Sequence, residues 1–295
     1  MSTLHNRTLP NNLIFSFSLL LLMLLTACGG ATATAVPVPT FIPTLTPTSA
    51  IPTVTPTPPA VTPTPEPNAV FEGIQFTYGI SLTQSLTFTR KPAVPPTENT
   101  PFWEVVPELV EVTFSGYIHS ESAYQPGIFF YPVAEFGPDP QYGQVFINTQ
   151  QLLQARPVYV PEGIPILPAR PPFNNAAPQI LQAHLQYLTF ANGSGVRFLT
   201  QYSQVAELVN NFKLLYVFQG LTNDGRTYIA AVFPVASAIL PASGEFVAAD
   251  MEEFVASYPT YLDITRQQLN AQPVFNFTPS LADLDALFRS MRVNE

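Results

Sequence analysis

The chain has 295 residues, 46% hydrophobic and 11% charged, and its 20 acidic against 11 basic residues give a formal net charge of −9. Such an acidic, lysine-poor surface offers no cationic footprint, which disfavours nucleic acid and anionic lipid headgroups as partners. Cys28 is the only cysteine, so no disulfide can form within the chain and a folded domain must be held by its core alone.

An apolar run over residues 13–25 follows a short basic start that contains Arg7. The run is too short for a membrane-spanning helix, which needs about 20 residues, and has the length of a secretory signal-peptide core. Small residues, Thr26 and Ala27, then lead into Cys28. The stretch Leu25-Thr26-Ala27-Cys28 resembles the lipobox of bacterial lipoproteins. That resemblance implies that residues 1–27 are a removable signal peptide and that Cys28 is thioether-linked to diacylglycerol. It also implies a protein anchored in the cell membrane and facing the extracytoplasmic side. Lipidation consumes the only thiol, which leaves none for a cysteine nucleophile or a thiolate metal site. Multiple acyl chains on one cysteine satisfy the rule that stable anchoring takes more than a single chain.

Residues 28–68 read as the anchor and a linker. Between residues 31 and 68 there are 11 prolines and 11 threonines, and Glu66 is the only charge. Proline at every second to fourth position fixes φ and removes amide donors, so neither helix nor sheet is expected. A polyproline II stalk remains, disordered in the sense of having no fold of its own. At about 3.1 Å per residue it spans up to roughly 100 Å.

Residues 69–295 are expected to form one globular α+β domain. Residues 71–78 alternate aromatic and β-branched side chains and read as a strand. A proline-studded loop over 92–107 precedes two further expected strands, 110–117 and 127–131. Asp139-Pro140 supplies an N-cap and a first-turn proline for a helix with Tyr142, Val145, Phe146, Leu152 and Leu153 on one side, stopped by Pro157. Proline-rich residues 157–172 read as a surface loop. Two hairpins then follow. Residues 181–190 and 196–202 flank the turn Asn192-Gly193-Ser194-Gly195, and residues 213–219 and 226–235 flank Thr222-Asn223-Asp224-Gly225. Turns this short require antiparallel pairing. After Gly244 the period becomes helical, with Val247, Met251, Phe254, Val255 and Tyr258 on the expected buried face. A last helix is capped by Ser280, carries Asp283 and Asp285 early and Arg289 and Arg292 late, and buries Leu281, Leu284, Phe288 and Met291. The expected architecture is an antiparallel sheet built from hairpins with helices packed on one face.

This order of an aromatic first strand, antiparallel hairpins and a closing amphipathic helix is similar to that of the PsbP-like family of lumenal proteins. The similarity lies in element order alone, without motif residues. It implies a helix-flanked antiparallel sheet and a non-catalytic binding or assembly role.

No Gly-x-Ser-x-Gly elbow, Ser-x-x-Lys, His-Glu-x-x-His or phosphate-binding Gly-x-x-x-x-Gly-Lys is present, so no catalytic residue, metal ligand or cofactor is assigned. Gly193-Ser194-Gly195 joins two strands and reads as a hairpin turn. His119, in His-Ser-Glu, lacks the cysteine pair of a zinc deaminase and reads as a loop histidine. His184 lies on the polar side of its strand, where Arg197 on the partner strand could stand close enough to form an anion site. Asp250, Glu252 and Glu253 cluster at one helical turn, which presents too few oxygens for calcium. Trp103, in a proline-rich loop, is a candidate contact for a ligand or protein.

The candidate binding residues are therefore His184, Arg197 and Trp103, with Cys28 as the lipidation site. The function expected is a lipid-anchored extracytoplasmic binding or structural module, meeting the membrane through its lipid and an envelope protein or glycan through the domain. The alternatives are an envelope hydrolase using carboxylates or His184, and an accessory subunit of a membrane complex.

Overall fold

The computed structural model describes residues 66–101, 104–119, 121–136, 140–161, 163–165, 177–244 and 251–294. All of them fall in one unit of the chain, Val61–Glu295. Cys28, Trp103, Asp139, Val247 and Asp250 lie outside the described residues.

The first strand is a hairpin. Strands β1 (Ala69–Phe71) and β2 (Ile74–Phe76) pair antiparallel across Glu72 and Gly73, whose φ angles are 45° and 82°. Two consecutive left-handed residues make the turn whose twist suits a tight hairpin. An L side chain at Gly73 would also place its Cβ 2.0 Å from the Asn294 carbonyl oxygen. The alternation over 71–78 is thus real but folded back on itself. Next comes β3 (Ser85–Lys91), a strand not among those expected, then β4 (Leu109–Ser115) and β5 (Gly127–Pro132).

Helix α1 (Pro140–Ala155) follows. It is succeeded by β6 (Ala183–Phe190), β7 (Gly193–Thr200), β8 (Leu215–Thr222) and β9 (Thr227–Pro234). The turn between β6 and β7 is only Ala191-Asn192, so Gly193 and Gly195 belong to strand β7. Their lack of a Cβ has a packing reason. At Gly195 a Cβ would stand 2.3 Å from the Phe218 ring, and at Gly193 it would stand 2.1 Å from the Phe190 ring.

Strands β3 to β9 form one antiparallel sheet in the order β3-β4-β5-β9-β8-β7-β6. The chain runs inward from one edge through β3, β4 and β5, crosses to the far edge at β6, and returns until β9 fills the gap beside β5. That crossing must traverse one face of the sheet, and α1 lies on it. Tyr142 and Val145 of α1 pack with Phe129, Tyr131, Leu221 and Tyr228. The opposite face carries Tyr216, Phe218, Ile229 and Phe233. This separation follows from the two-residue period of a strand.

The second face is closed by β10 (Ala236–Ser237), α2 (Met251–Ala271), β11 (Phe277–Thr278), α3 (Leu281–Arg289) and β12 (Arg292–Val293). The α+β class and the antiparallel hairpins are as expected. Helices on a single face are not the arrangement: α3 and the end of α2 pack on one side and α1 on the other, because the β5-to-β6 crossover needed cover of its own.

Helix α3 follows the sequence pattern closely. The Ser280 hydroxyl accepts a hydrogen bond from the Ala282 amide, and Leu281, Leu284, Phe288 and Met291 are all buried. Phe288 stacks on Phe218 with ring centroids 3.9 Å apart, in the space kept open by Gly195 and Gly220. Burial of each such ring is worth about 1.5–3 kcal/mol. Helix α2 is rotated from expectation. Phe254, Thr265 and Leu269 are buried, with Tyr258, Tyr261 and Leu262 half-buried beside them, whereas Met251 and Val255 are exposed. On the buried side the Tyr261 hydroxyl accepts a hydrogen bond from the Val209 amide at 2.8 Å. Finally β12 pairs antiparallel with β2, so the C-terminal strand zips onto the first hairpin.

Candidate functional site

The structure brings His184 and Arg197 together, in a way that strand alternation does not anticipate. Ala183 pairs with Leu199 and Gln186 with Arg197, so His184 and Leu185 together oppose the single residue Phe198. This is a β-bulge, and His184 takes a left-handed φ of 50° within it. The bulge turns the imidazole away from Arg197 and towards the C-terminal end of α2. There its Nε2 lies 2.6 Å from the Leu269 carbonyl oxygen, and the ring stands edge-on to Phe277. A carbonyl can only accept, so Nε2 carries the hydrogen. The His184 amide donates to the Asn270 side chain at 2.6 Å. Burial, followed by the charge of Arg197, holds the imidazole below its ordinary pKa of 6.5, against an opposing pull from the Leu269 carbonyl.

Arg197 is 2% exposed, and the carbonyl of His184, not its ring, accepts from Arg197 Nη1. Its Nη2 donates to Gln186 Oε1 at 2.6 Å, and its Nε donates to Asp285 Oδ1 at 3.1 Å. Asp285, 3% exposed, comes from α3 and also accepts from the Tyr216 hydroxyl at 3.0 Å. Burial and the Asp285 charge push the Tyr216 phenol well above its ordinary range, so it stays a donor. A buried arginine and carboxylate held by three further polar groups form a staple between sheet and helix. None of the described clefts is lined by His184, Arg197 or Asp285. The expected anion site at this pair is therefore already filled from within, by Asp285.

Asp285, expected only as an early acid of the last helix, is instead buried on it, and the sequence carries a signal for that role. It lies four residues after Leu281 and three before Phe288, inside the buried stripe of the helix. An acid on that stripe and an arginine between Val196 and Phe198 on an apolar strand predict each other.

The open site is next to this staple. A cleft of about 710 Å³ runs between the C-terminal half of α3, the β6–β7 turn at Ala191, and the segment after β2. Its polar lining includes Gln75, Thr77, Tyr78, Asp283, Arg289 and Arg292, over an apolar floor of Leu82, Ala286 and Leu287. The Arg289 side chain is 49% exposed, and its Nη2 stands 3.8 Å from Asp285 Oδ2, an oxygen that Arg197 already reaches. Arg292, at the start of β12, is exposed and forms no ion pair among the described residues.

No family model, curated protein or solved structure matches this chain. The other expected residues are dispersed. His119 places Nε2 3.2 Å from the Asn211 carbonyl. Glu252 and Glu253 are exposed in the first turn of α2, where a helix N-terminus favours acids. Among the described residues no group of three or more His, Cys, Asp or Glu is placed to hold a metal ion, and no helix is long and apolar enough to cross a membrane.

Proposed function

We propose that this chain is a lipid-anchored binding module of the bacterial cell envelope, tethered through Cys28 by its proline- and threonine-rich stalk and binding its ligand in the cleft beside α3. The Leu-Thr-Ala-Cys motif after an apolar run of signal-peptide length supports the anchor.

One observation carries the binding reading. His184 and Arg197, the pair best suited to chemistry, are committed to joining β6, β7, α2 and α3, while the open cleft presents guanidinium groups, an amide, hydroxyls and the lone carboxylate of Asp283, with no histidine. Catalysis needs an acid, base or nucleophile within reach of a substrate; Arg197 is buried, the half-buried His184 spends its Nε2 hydrogen on the Leu269 carbonyl, and neither lines the cleft.

Two measurements on the full chain test this. Wild-type protein partitions into the detergent phase with processed Cys28 at its amino terminus, and Cys28→Ser loses lipid labelling and processing. An unprocessed wild-type amino terminus overturns the anchor. A hydrolase screen of the wild type and His184→Ala finds no turnover that depends on His184; turnover that vanishes in a folded mutant establishes the hydrolase instead.

A further inference from the structure

We infer that the cleft beside α3 binds a carboxylated saccharide, with Arg289 and Arg292 holding the carboxylate. This rests on the reading of the cleft as a ligand site and gives it a ligand class.

The chain has 20 acidic and 11 basic residues, so cations not consumed by its own carboxylates are scarce. Arg90 is held by Glu72 and Glu108, Lys91 by Glu111, Lys213 by Glu207, Arg266 by Asp263 and Arg197 by Asp285. Arg292 has no such partner among the described residues, and Arg289 has only the outer oxygen of a carboxylate already engaged by Arg197 and Tyr216. Both line the same cleft. Guanidinium groups recognise carboxylates through paired N–H donors, and a recessed site between low-dielectric walls strengthens the attraction.

The rest of the lining narrows the ligand. Asp283 shares the cleft with the arginines, so a polyanion of closely spaced phosphates or sulfates meets repulsion there. A hydroxyl-bearing ligand does not, because the Asp283 carboxylate can accept hydrogen bonds from hydroxyls. Gln75, Thr77 and Ser81 add neutral donors and acceptors around an apolar floor. Tyr78 offers an aromatic ring to the C–H face of a sugar. The volume, about 710 Å³, is in the upper part of the roughly 300–1,000 Å³ range of small-molecule sites. One carboxylate to a ring, several hydroxyls and an apolar face together describe a uronic-acid oligosaccharide, whose charges are spaced a sugar apart.

The test is calorimetric titration of the full chain in detergent with trigalacturonate, and with neutral galactotriose as its uncharged counterpart. Trigalacturonate is expected to bind, galactotriose to bind at least about tenfold more weakly, and affinity to fall as salt is raised. Arg292→Gln weakens trigalacturonate about tenfold or more without changing galactotriose, and Arg289→Gln does the same to a smaller extent. Arg292→Lys, which keeps the charge but not the paired donors, restores part of the loss. Thermal unfolding shows that each variant is folded. Equal binding of both saccharides overturns the carboxylate while leaving the binding module standing. Failure of trigalacturonate to bind, or unchanged binding in folded Arg292→Gln, overturns the inference outright. An unlipidated wild type would refute the anchored module without touching this result.

Discussion

Arg197 and Arg292 differ by location alone, and the difference decides what each can do. Arg197 sits mid-strand under a helix, where an unpaired charge is prohibitive, so the fold supplies it with Asp285, Gln186 and the carbonyl of a bulged residue. Arg292 begins an exposed edge strand, where water already solvates it and nothing obliges the protein to pair it. A charge that the fold must neutralise becomes structure; a charge that it need not neutralise is available to a ligand.

The comparison breaks most visibly at its buried end. Arg197→Ala is expected to cost about 3–5 kcal/mol in urea unfolding, because Asp285 remains buried without its partner. Replacing both members by apolar residues of similar volume should recover most of that loss. If the double variant is as unstable as the single one, the pair is not the unit described here.

Tyr216→Phe removes one donor from Asp285 and leaves Arg197 in place. A loss of about 1.5–3 kcal/mol is expected, the range for hydrogen bonds to charged groups. A neutral outcome would mean that Arg197 alone satisfies the carboxylate.

His184 gives a smaller, pH-dependent effect. Its folded-state pKa is held below 6.5 by burial and then by Arg197, so the unfolded chain takes up the proton first as pH falls. Stability contributed by neutral His184 is complete above about pH 6.5, declines below it, and stops declining once the folded protein is protonated as well. Denaturation midpoints measured from pH 7.5 to 5 should fall, and His184→Gln should flatten that part of the profile. An identical profile in the variant would remove His184 from the account.

The smallest effect marks the exposed end. Arg292→Gln should leave stability within about 0.5 kcal/mol of wild type, as for a solvated surface residue. A larger loss in a melting experiment would make Arg292 a structural residue like Arg197.

The closing helix was legible in its cap and its stripe, because Ser280 and Leu281, Leu284, Phe288 and Met291 are local properties of a 3.6-residue period; its end was not, since Arg292, expected in the last turn, lies in β12 beyond the helix end at Arg289. Both hairpins of the second half were legible as pairs, since turn residues and strand alternation are also local. Their details were less so. Gly193 and Gly195 read as a turn because glycine serves turns and close packing alike, and only the Phe190 and Phe218 rings decide between the two. The first strand read as continuous because its alternation continues through Glu72 and Gly73, although their φ angles reverse the chain. Proximity of His184 and Arg197 was also legible from strand pairing. Its chemical meaning was not, because a bulge of one residue turns the imidazole away and presents the carbonyl instead.

By itself, then, the sequence determined periodicity, the cap of the last helix and the pairing of the hairpins, because each depends on residues close to one another in the chain. Tertiary structure decided which face α1 covers, through a crossover from the middle of the sheet to its edge. It also decided which charges are neutralised. Asp285 meets Arg197 across 88 residues, and Arg289 and Arg292 are left at a cleft whose opposite wall follows β2. Whether a charge is buried depends on what the whole chain stacks upon it, and no local window of sequence holds that information.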